Sequence, residues 1–161
     1  MAGDRIVLIG VGNEYRRDDG VALAVLGELT AAGVEADRIA LCDGEPTRLI
    51  DLWDGAALAV VVDAVHAHPG RPGRVHRLRA RADAPVPEGP GAGSHGLGLG
   101  EAVALARILD RLPEELLVVA VEGADFGIGQ GLSPAVAAAV PRAADLVREA
   151  LAAHRAGPGR G

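Results

Sequence analysis

Three segments of the sequence carry acid or imidazole side chains next to apolar stretches that are typical of buried β-strands. Asp18 and Asp19 follow the first such stretch, Asp63 follows the third, and His95 stands at the start of a helical pattern. Two carboxylates and one imidazole form an N/O ligand set that suits a divalent transition metal. Three protein ligands leave positions open for water or a substrate group, so Asp19, Asp63 and His95 are candidate catalytic and metal-binding residues.

Each of these residues also has a purely structural explanation. Asp18 or Asp19 would cap the helix that follows and interact favourably with its dipole. Asp63 would start an Asx turn, although burial at the end of so apolar a strand would raise its pKa unless a cation or hydrogen bonds compensate. His95, beside the expected helix cap Ser94, would be a structural or surface histidine. The metal-binding interpretation therefore depends on whether the three side chains meet in space.

The alternation of short apolar stretches with longer helical patterns predicts the elements that would position these residues. The predicted strands cover residues 5–10, 39–42, 58–62, 74–79 and 116–121. The predicted helices cover residues 21–29, 47–53, 94–112 and a stretch that starts at 134. The predicted fold is α/β, with a three-layer, twisted, mostly parallel five-stranded sheet, one antiparallel edge strand and helices on both faces. In a flavodoxin-like strand order, Asp19, Asp63 and His95 would converge beyond the carboxyl ends of neighbouring strands.

Two of the helices carry more specific predictions. The core-facing stripe of the third is expected at Leu105, Ile108, Leu109 and Leu112. The last helix is expected to begin after its cap Ser133, and Pro141 is expected to break or restart it. We predict one domain over residues 1–154 and a disordered tail over residues 155–161.

Composition and charge exclude several classes of function. The chain has 161 residues, the size of one domain. Its 16 basic residues are all arginine, which excludes a Walker lysine and a Schiff-base lysine. The net charge of −6 and the 2% aromatic content argue against a nucleic-acid partner. The single cysteine and the absence of a long apolar run predict a cytoplasmic protein with no membrane partner.

The motifs, taken in chain order, resemble those of the nickel–iron hydrogenase maturation endopeptidases. The matching segments are GVGN at 10–13, DDG at 18–20, CDG at 42–44, VVDAV at 61–65, SHGLGL at 94–99 and FGIGQGLSP at 126–134. The resemblance spans residues 5–151. One departure is visible, because Glu45 and Pro46 stand where many relatives have a small Gly-Thr or Gly-Ser pair.

The resemblance implies an endopeptidase that removes the C-terminal extension of a hydrogenase large-subunit precursor after nickel insertion. The family's metal-binding positions fall on Asp19, Asp63 and His95, and the nickel would be carried by the substrate, with no other cofactor. Asp43 would help to shape the site, and Glu45 would add a charge near the cleft. The chemistry would be metal-assisted, with the ion polarising the scissile carbonyl, or aspartic-type, with the metal serving recognition.

Two rival functions remain at this point. The AGSHG segment at 92–96 differs by one residue from the GxSxG motif of serine hydrolases, but it follows a loop where that motif requires a strand. A non-catalytic, flavodoxin-like ligand-binding module is the second rival. Such a module would not need Asp63 and His95.

Overall fold

Strands and helices alternate along the chain, as the sequence predicts. The computed structural model describes residues 4–82 and 97–157. The strands are β1 (Ile6–Val11), β2 (Arg38–Cys42), β3 (Leu58–Val65), β4 (Val75–Arg81) and β5 (Glu115–Glu122). The helices are α1 (Val21–Ala31), α2 (Pro46–Trp53), α3 (Leu97–Ile108) and α4 (Pro134–Ala156), and a short 3₁₀ turn (Arg17–Gly20) precedes α1.

The five strands form one sheet in the order β2-β1-β3-β5-β4. Neighbouring strands are parallel from β2 to β5, and β4 is antiparallel to β5 at the edge. This arrangement confirms the predicted mostly parallel sheet with one antiparallel edge strand. The carboxyl ends of β1 and β3 lie side by side because Val11 pairs with Asp63.

Helices cover both faces of the sheet and create two apolar cores. On one face, α1 and α4 pack against the sheet in a cluster that includes Leu26 and Val147. On the other, α2 and α3 pack in a cluster that includes Trp53 and Ala102. Every residue of β1 and β3 is buried, which explains why these strands are apolar without alternation.

The core-facing stripe of α3 differs in part from the prediction. Among residues 99–108 of α3, the buried ones are Leu99, Ala102 and Ala106. Leu105 and Leu112 pack against the same core as predicted, but Ile108 is 81% exposed and Leu109 is 49% exposed. The helix ends at Ile108 and Asp110 adopts a positive φ of 57°, so a helical period cannot be extended through Leu109.

The predicted break at Pro141 is wrong, because α4 continues unbroken through this residue. Pro141 is exposed, so its ring and the helix carbonyl that lacks an N–H partner face solvent. Val140 and Ala144 are buried on the same face as Val147 and Leu151, as predicted. Packing on both sides of Pro141 therefore holds the two halves of the helix in line.

The C-terminal boundary also differs from the prediction. α4 includes Arg155 and Ala156, which the sequence assigned to a disordered tail, and Arg155 Nη2 donates to Glu35 O at 2.6 Å. Residues 158–161 lie outside the described residues. None of the helices that the structure describes combines the length and apolar content needed to cross a membrane.

Replacing Pro141 by alanine should raise the free energy of unfolding by about 1–3 kcal/mol, because alanine restores an N–H donor and removes the ring clash. Chemical denaturation measures the change. Pro134→Ala is the matched control, since Pro134 is at the first helical position, where proline is tolerated and little change is expected. Equal effects of the two substitutions would contradict this account.

Candidate active site

Asp63 lies within β3 and not in the turn after it. The strand extends to Val65, three residues beyond its predicted end at 62, so the Asx-turn explanation of Asp63 is wrong. Asp63 is 6% exposed and pairs with Val11 at the carboxyl end of β1. The sheet therefore fixes this carboxylate at the edge where parallel α/β folds bind ligands.

The loop after β1 folds back and places Asp19 at the same edge. Gly12 has a φ of +144°, and a Cβ on it would lie 2.0 Å from the Asp19 carbonyl oxygen, so the return of the chain requires glycine. Asn13 N donates to Asp19 Oδ2 at 2.8 Å, and Tyr15 N donates to Asn13 Oδ1 at 2.9 Å. The carboxylate of Asp19 is thus held next to the end of β1.

Asp19 and Asp63 interact electrostatically. Burial raises the pKa of Asp63 to about 8, and the negative charge of Asp19 adds to the rise, against a smaller lowering by the Ala64 N–H. A carboxyl group with this pKa retains its proton near neutral pH. The structure thus brings together two of the three predicted residues, and the pKa of Asp63 favours its protonated form near neutral pH.

The third predicted residue, His95, and its neighbour Ser94 lie outside the described residues. α3 begins at Leu97, two residues after His95. The chain beyond the other end of α3 reaches the amino edge of the sheet, where Glu114 N donates to Ala56 O at 3.0 Å. The first turn of α3 therefore points towards the carboxyl edge. Among residues 4–82 and 97–157, no three His, Cys, Asp or Glu side chains form a group that could hold a metal ion.

Asp18 has a different environment from its neighbour. Its side chain is fully buried and accepts hydrogen bonds from Ala124 N (2.8 Å), Asp125 N (2.9 Å), Ser133 N (2.7 Å) and Ser133 Oγ (2.8 Å). Burial alone would raise the pKa of Asp18, but these hydrogen bonds outweigh it and hold the pKa below its ordinary value. The helix-capping explanation is wrong for this residue, since no side chain caps α1 or the 3₁₀ turn.

The contacts of Asp18 join the active-site loop to the glycine-rich segment before α4. Main-chain bonds reinforce this connection, from Arg17 N to Gly129 O (2.8 Å) and from Gly129 N to Tyr15 O (2.8 Å). Ser133 is the N-cap residue of α4 as predicted, but its side chain bonds Asp18 and not its own helix. Sequence reasoning missed this role because the partners are more than a hundred residues apart.

A cavity of about 330 Å³ opens beside Asp19. Its lining includes the acidic side chains Glu14, Asp19 and Asp43 and the apolar or aromatic side chains Tyr15, Leu23 and Leu41. The position of Asp43 agrees with its predicted role in shaping the site. The cavity thus combines carboxylates with an apolar wall.

Glu45 is the N-cap residue of α2. Its carboxylate accepts from Thr47 N at 3.2 Å and from Arg48 N at 3.1 Å, and the Thr47 hydroxyl also donates to it. Hydrogen bonds from the Thr47 side chain and main chain lower the pKa of Glu45. Pro46 occupies the first helical position. The Glu45-Pro46 pair therefore begins α2. The charge that Glu45 was expected to add near the cleft is held by hydrogen bonds at the amino end of this helix.

A third buried carboxylate, Glu122, ends β5 at the carboxyl edge of the sheet. It accepts from Arg71 N at 2.8 Å and pairs with His76 Nε2 at 2.6 Å. Burial would raise the pKa of Glu122, but the hydrogen bonds from Arg71 and His76 lower it overall. The pair anchors the connection between β3 and β4. No sequence pattern predicts this pair, because His76 is in an edge strand and Glu122 is the last residue of an apolar one.

Comparison with known proteins gives a consistent result. The model of the HycI family, described as hydrogenase maturation protease, matches residues 24–150. No curated protein sequence is significantly similar to the chain.

Several solved structures share the fold, including these three. The hydrogenase maturating endopeptidase HybD from E. coli is 22% identical with a TM-score of 0.72, over 91% of each chain. An endopeptidase from Escherichia coli, solved in solution, is 23% identical with a TM-score of 0.74, again over 91% of each chain. A hydrogenase 2 maturation peptidase from Thaumarchaeota archaeon SCGC_AB-539-E09 is 25% identical with a TM-score of 0.65, over 92% of this chain and 98% of that one.

Asp18→Asn should lower the free energy of unfolding by about 2–4 kcal/mol at pH 7, because an amide cannot accept all the hydrogen bonds that the carboxylate accepts. A depressed pKa contributes stability that is present above the unfolded value, near 3.8, and is lost as the pH falls through the folded value. The difference from wild type should therefore shrink below pH 3.8. Denaturation as a function of pH measures it, with exposed Asp145→Asn as control. A constant difference across this range would contradict the assignment.

Asp63→Asn should stabilise the metal-free protein. Because the folded pKa is raised to about 8, ionised Asp63 disfavours the folded state, and this penalty grows from pH 4 to pH 8. The variant should match wild type near pH 4 and exceed its free energy of unfolding by roughly 5 kcal/mol at pH 8, since the pKa rises from 3.8 to about 8 and one pKa unit corresponds to about 1.4 kcal/mol. Asp145→Asn should change stability by less than about 0.5 kcal/mol at either pH. A destabilised Asp63→Asn protein at pH 8 would refute the raised pKa.

Proposed function

Because the chain belongs to the hydrogenase maturation protease family, we propose that it removes the C-terminal extension of a nickel-loaded nickel–iron hydrogenase large-subunit precursor. The observation that carries the proposal is the electrostatic coupling of Asp19 and Asp63 at the carboxyl edge of the sheet. A buried carboxyl group, Asp63, beside the partly buried carboxylate of Asp19 is a costly arrangement for a merely structural role, and it provides the acid and base that peptide hydrolysis needs.

In this proposal, Asp19, Asp63 and His95 recognise the nickel that the precursor carries. Carboxylate oxygens and an imidazole nitrogen are suitable ligands for this ion, and three of them leave positions for the precursor's own ligands. The nickel is part of the substrate, so the enzyme needs no resident cofactor. Recognition of the ion would restrict cleavage to precursor into which nickel has been inserted.

The same carboxyl groups would carry the hydrolysis. In an aspartic-type reaction, protonated Asp63 would not coordinate the ion: Asp19 would accept a proton from the attacking water while Asp63 would donate its proton towards the scissile carbonyl oxygen. In a metal-assisted reaction, the substrate's nickel polarises that carbonyl and one aspartate acts as the base. Both versions require the two side chains to stay together, which β1, β3 and the loop after Gly12 ensure.

Purified protein should shorten nickel-loaded precursor by its C-terminal extension and leave nickel-free precursor intact, as intact-mass spectrometry of the large subunit would show. Asp19→Asn and His95→Ala should lower the cleavage rate at least about 100-fold, the usual contribution of a general acid or base. Both variants should retain the far-UV circular dichroism of the wild type.

Asp145→Asn, an exposed substitution of the same type on α4, is the matched control and should cleave at the wild-type rate. Intact nickel-loaded precursor after incubation with folded wild-type protein would refute endopeptidase function. Equal cleavage of nickel-free precursor would refute recognition of the metal and leave the peptidase activity standing.

A further inference from the structure

One edge of the sheet is open to another strand. β2 pairs with β1, and no strand in the described part of the chain pairs with the other side of β2. Gly12 N donates to Cys42 O at 3.0 Å, so residue 42 directs its main-chain carbonyl towards the β1 side. Since main-chain groups of successive strand residues point to opposite sides, the N–H and C=O of Ile39 and Leu41 point to the open edge.

The side chains of these residues are apolar and exposed. Ile39 is 40% exposed and Leu41 is 49% exposed. A Cβ on Gly10 would lie 2.7 Å from Leu41 Cδ2 and 2.8 Å from Leu26 Cδ1, which shows that Leu41 extends over β1 towards α1. Ile39 lies on the same face because side chains alternate along a strand. Together with Leu23 and Tyr15 of the cavity wall, they form what we call the β2 edge patch: Tyr15, Leu23, Ile39 and Leu41.

The opposite edge of the sheet has a different character. β4 carries Arg77, Arg79 and Arg81, the kind of charged side chains that protect an edge strand from pairing with another chain. In β2, Arg38 is at the start, and the remaining residues are Ile39, Ala40, Leu41 and Cys42. The fold thus blocks one edge with charge and leaves an apolar surface on the other.

The β2 edge patch is continuous with the active site. Tyr15, Leu23 and Leu41 line the same cavity as Asp19, and β2 ends next to Gly12 at the carboxyl edge. An extended segment that pairs with the five residues of β2 would therefore reach the cavity at one of its ends. This continuity identifies the occupant as a peptide on which the Asp19 site acts.

We propose that the precursor's C-terminal extension binds as an additional β-strand along the open edge of β2, with apolar side chains against the β2 edge patch and the scissile bond at Asp19. This inference rests on the proposed function. Main-chain hydrogen bonds would supply affinity regardless of sequence, and the patch would select apolar residues at alternate positions of the extension.

The apolar contact is tested by Ile39→Lys, with Ile108→Lys as the matched control because Ile108 is also an exposed isoleucine, at the end of α3. In steady-state cleavage of nickel-loaded precursor, Ile39→Lys should raise KM about tenfold and leave kcat within about twofold, because the contact is made in the ground state as well as in the transition state. Ile108→Lys should leave both constants at the wild-type values.

The main-chain contact is tested by Ile39→Pro against Ile39→Val. Proline removes the N–H that points to the open edge without removing a bond to β1, and edge strands tolerate it there. Valine keeps this N–H and a β-branched apolar side chain. Ile39→Pro should raise KM at least about fivefold, and Ile39→Val should stay within about twofold of wild type. Ile39→Lys decides the question if the proline variant fails to fold.

The outcomes separate this inference from the proposed function. If wild-type protein cleaves the precursor and Ile39→Lys retains the wild-type KM, the inference is overturned and the endopeptidase function stands. If wild-type protein cleaves nothing, both are overturned. A second copy of the chain is the other candidate to pair with β2, and analytical ultracentrifugation of the enzyme alone tests it. A wild-type dimer that Ile39→Lys converts to monomer would assign the open edge of β2 to that second copy and overturn the inference.

Discussion

The buried carboxylate of Asp18 holds the loop after β1, which carries the candidate residue Asp19. It is bound by main-chain N–H groups of the segment that leads into α4 and by the Ser133 hydroxyl. Charge-assisted bonds of this kind are among the stronger interactions in a protein. They hold the 3₁₀ turn Arg17–Gly20, in which Asp19 directly follows Asp18. The position of the catalytic candidate therefore depends on a contact between distant parts of the chain.

Two buried residues of the same type thus have opposite electrostatic environments. Asp18 is surrounded by donors, so its ionised form is the stable one and its pKa is lowered. Asp63, by contrast, is buried beside the charge of Asp19, and its pKa is raised. Environments that push carboxyl pKa values apart are typical of sites that divide acid and base roles between similar side chains. Because both residues are aspartate, the difference between their pKa values comes from the surroundings in which the fold places them.

Periodicity in the sequence was sufficient to predict the layers and the strand directions, because β1, β3 and β5 are buried on both faces and so are continuously apolar. It was not sufficient where tertiary contacts override local signals. Pro141 is tolerated because packing on both sides holds α4 straight, and Ile108 is exposed because the helix ends there. The meeting of the β1 and β3 ends, where Val11 pairs with Asp63, could be predicted from the strand order. The hydrogen bonds to Asp18 and the Glu122–His76 pair could not, because no sequence pattern marks contacts between such distant residues.

The raised pKa of Asp63 depends on its place at the centre of the sheet. Keeping a carboxyl group in an apolar strand beside a second carboxylate disfavours the folded state near neutral pH. A loop would relax and let water reach both groups, and the pKa would return towards its ordinary value. β3 cannot relax in this way, because it is hydrogen-bonded to β1 on one side and to β5 on the other, with helices over both faces. Rigidity of the central strands is therefore the condition that maintains the unusual protonation state of Asp63.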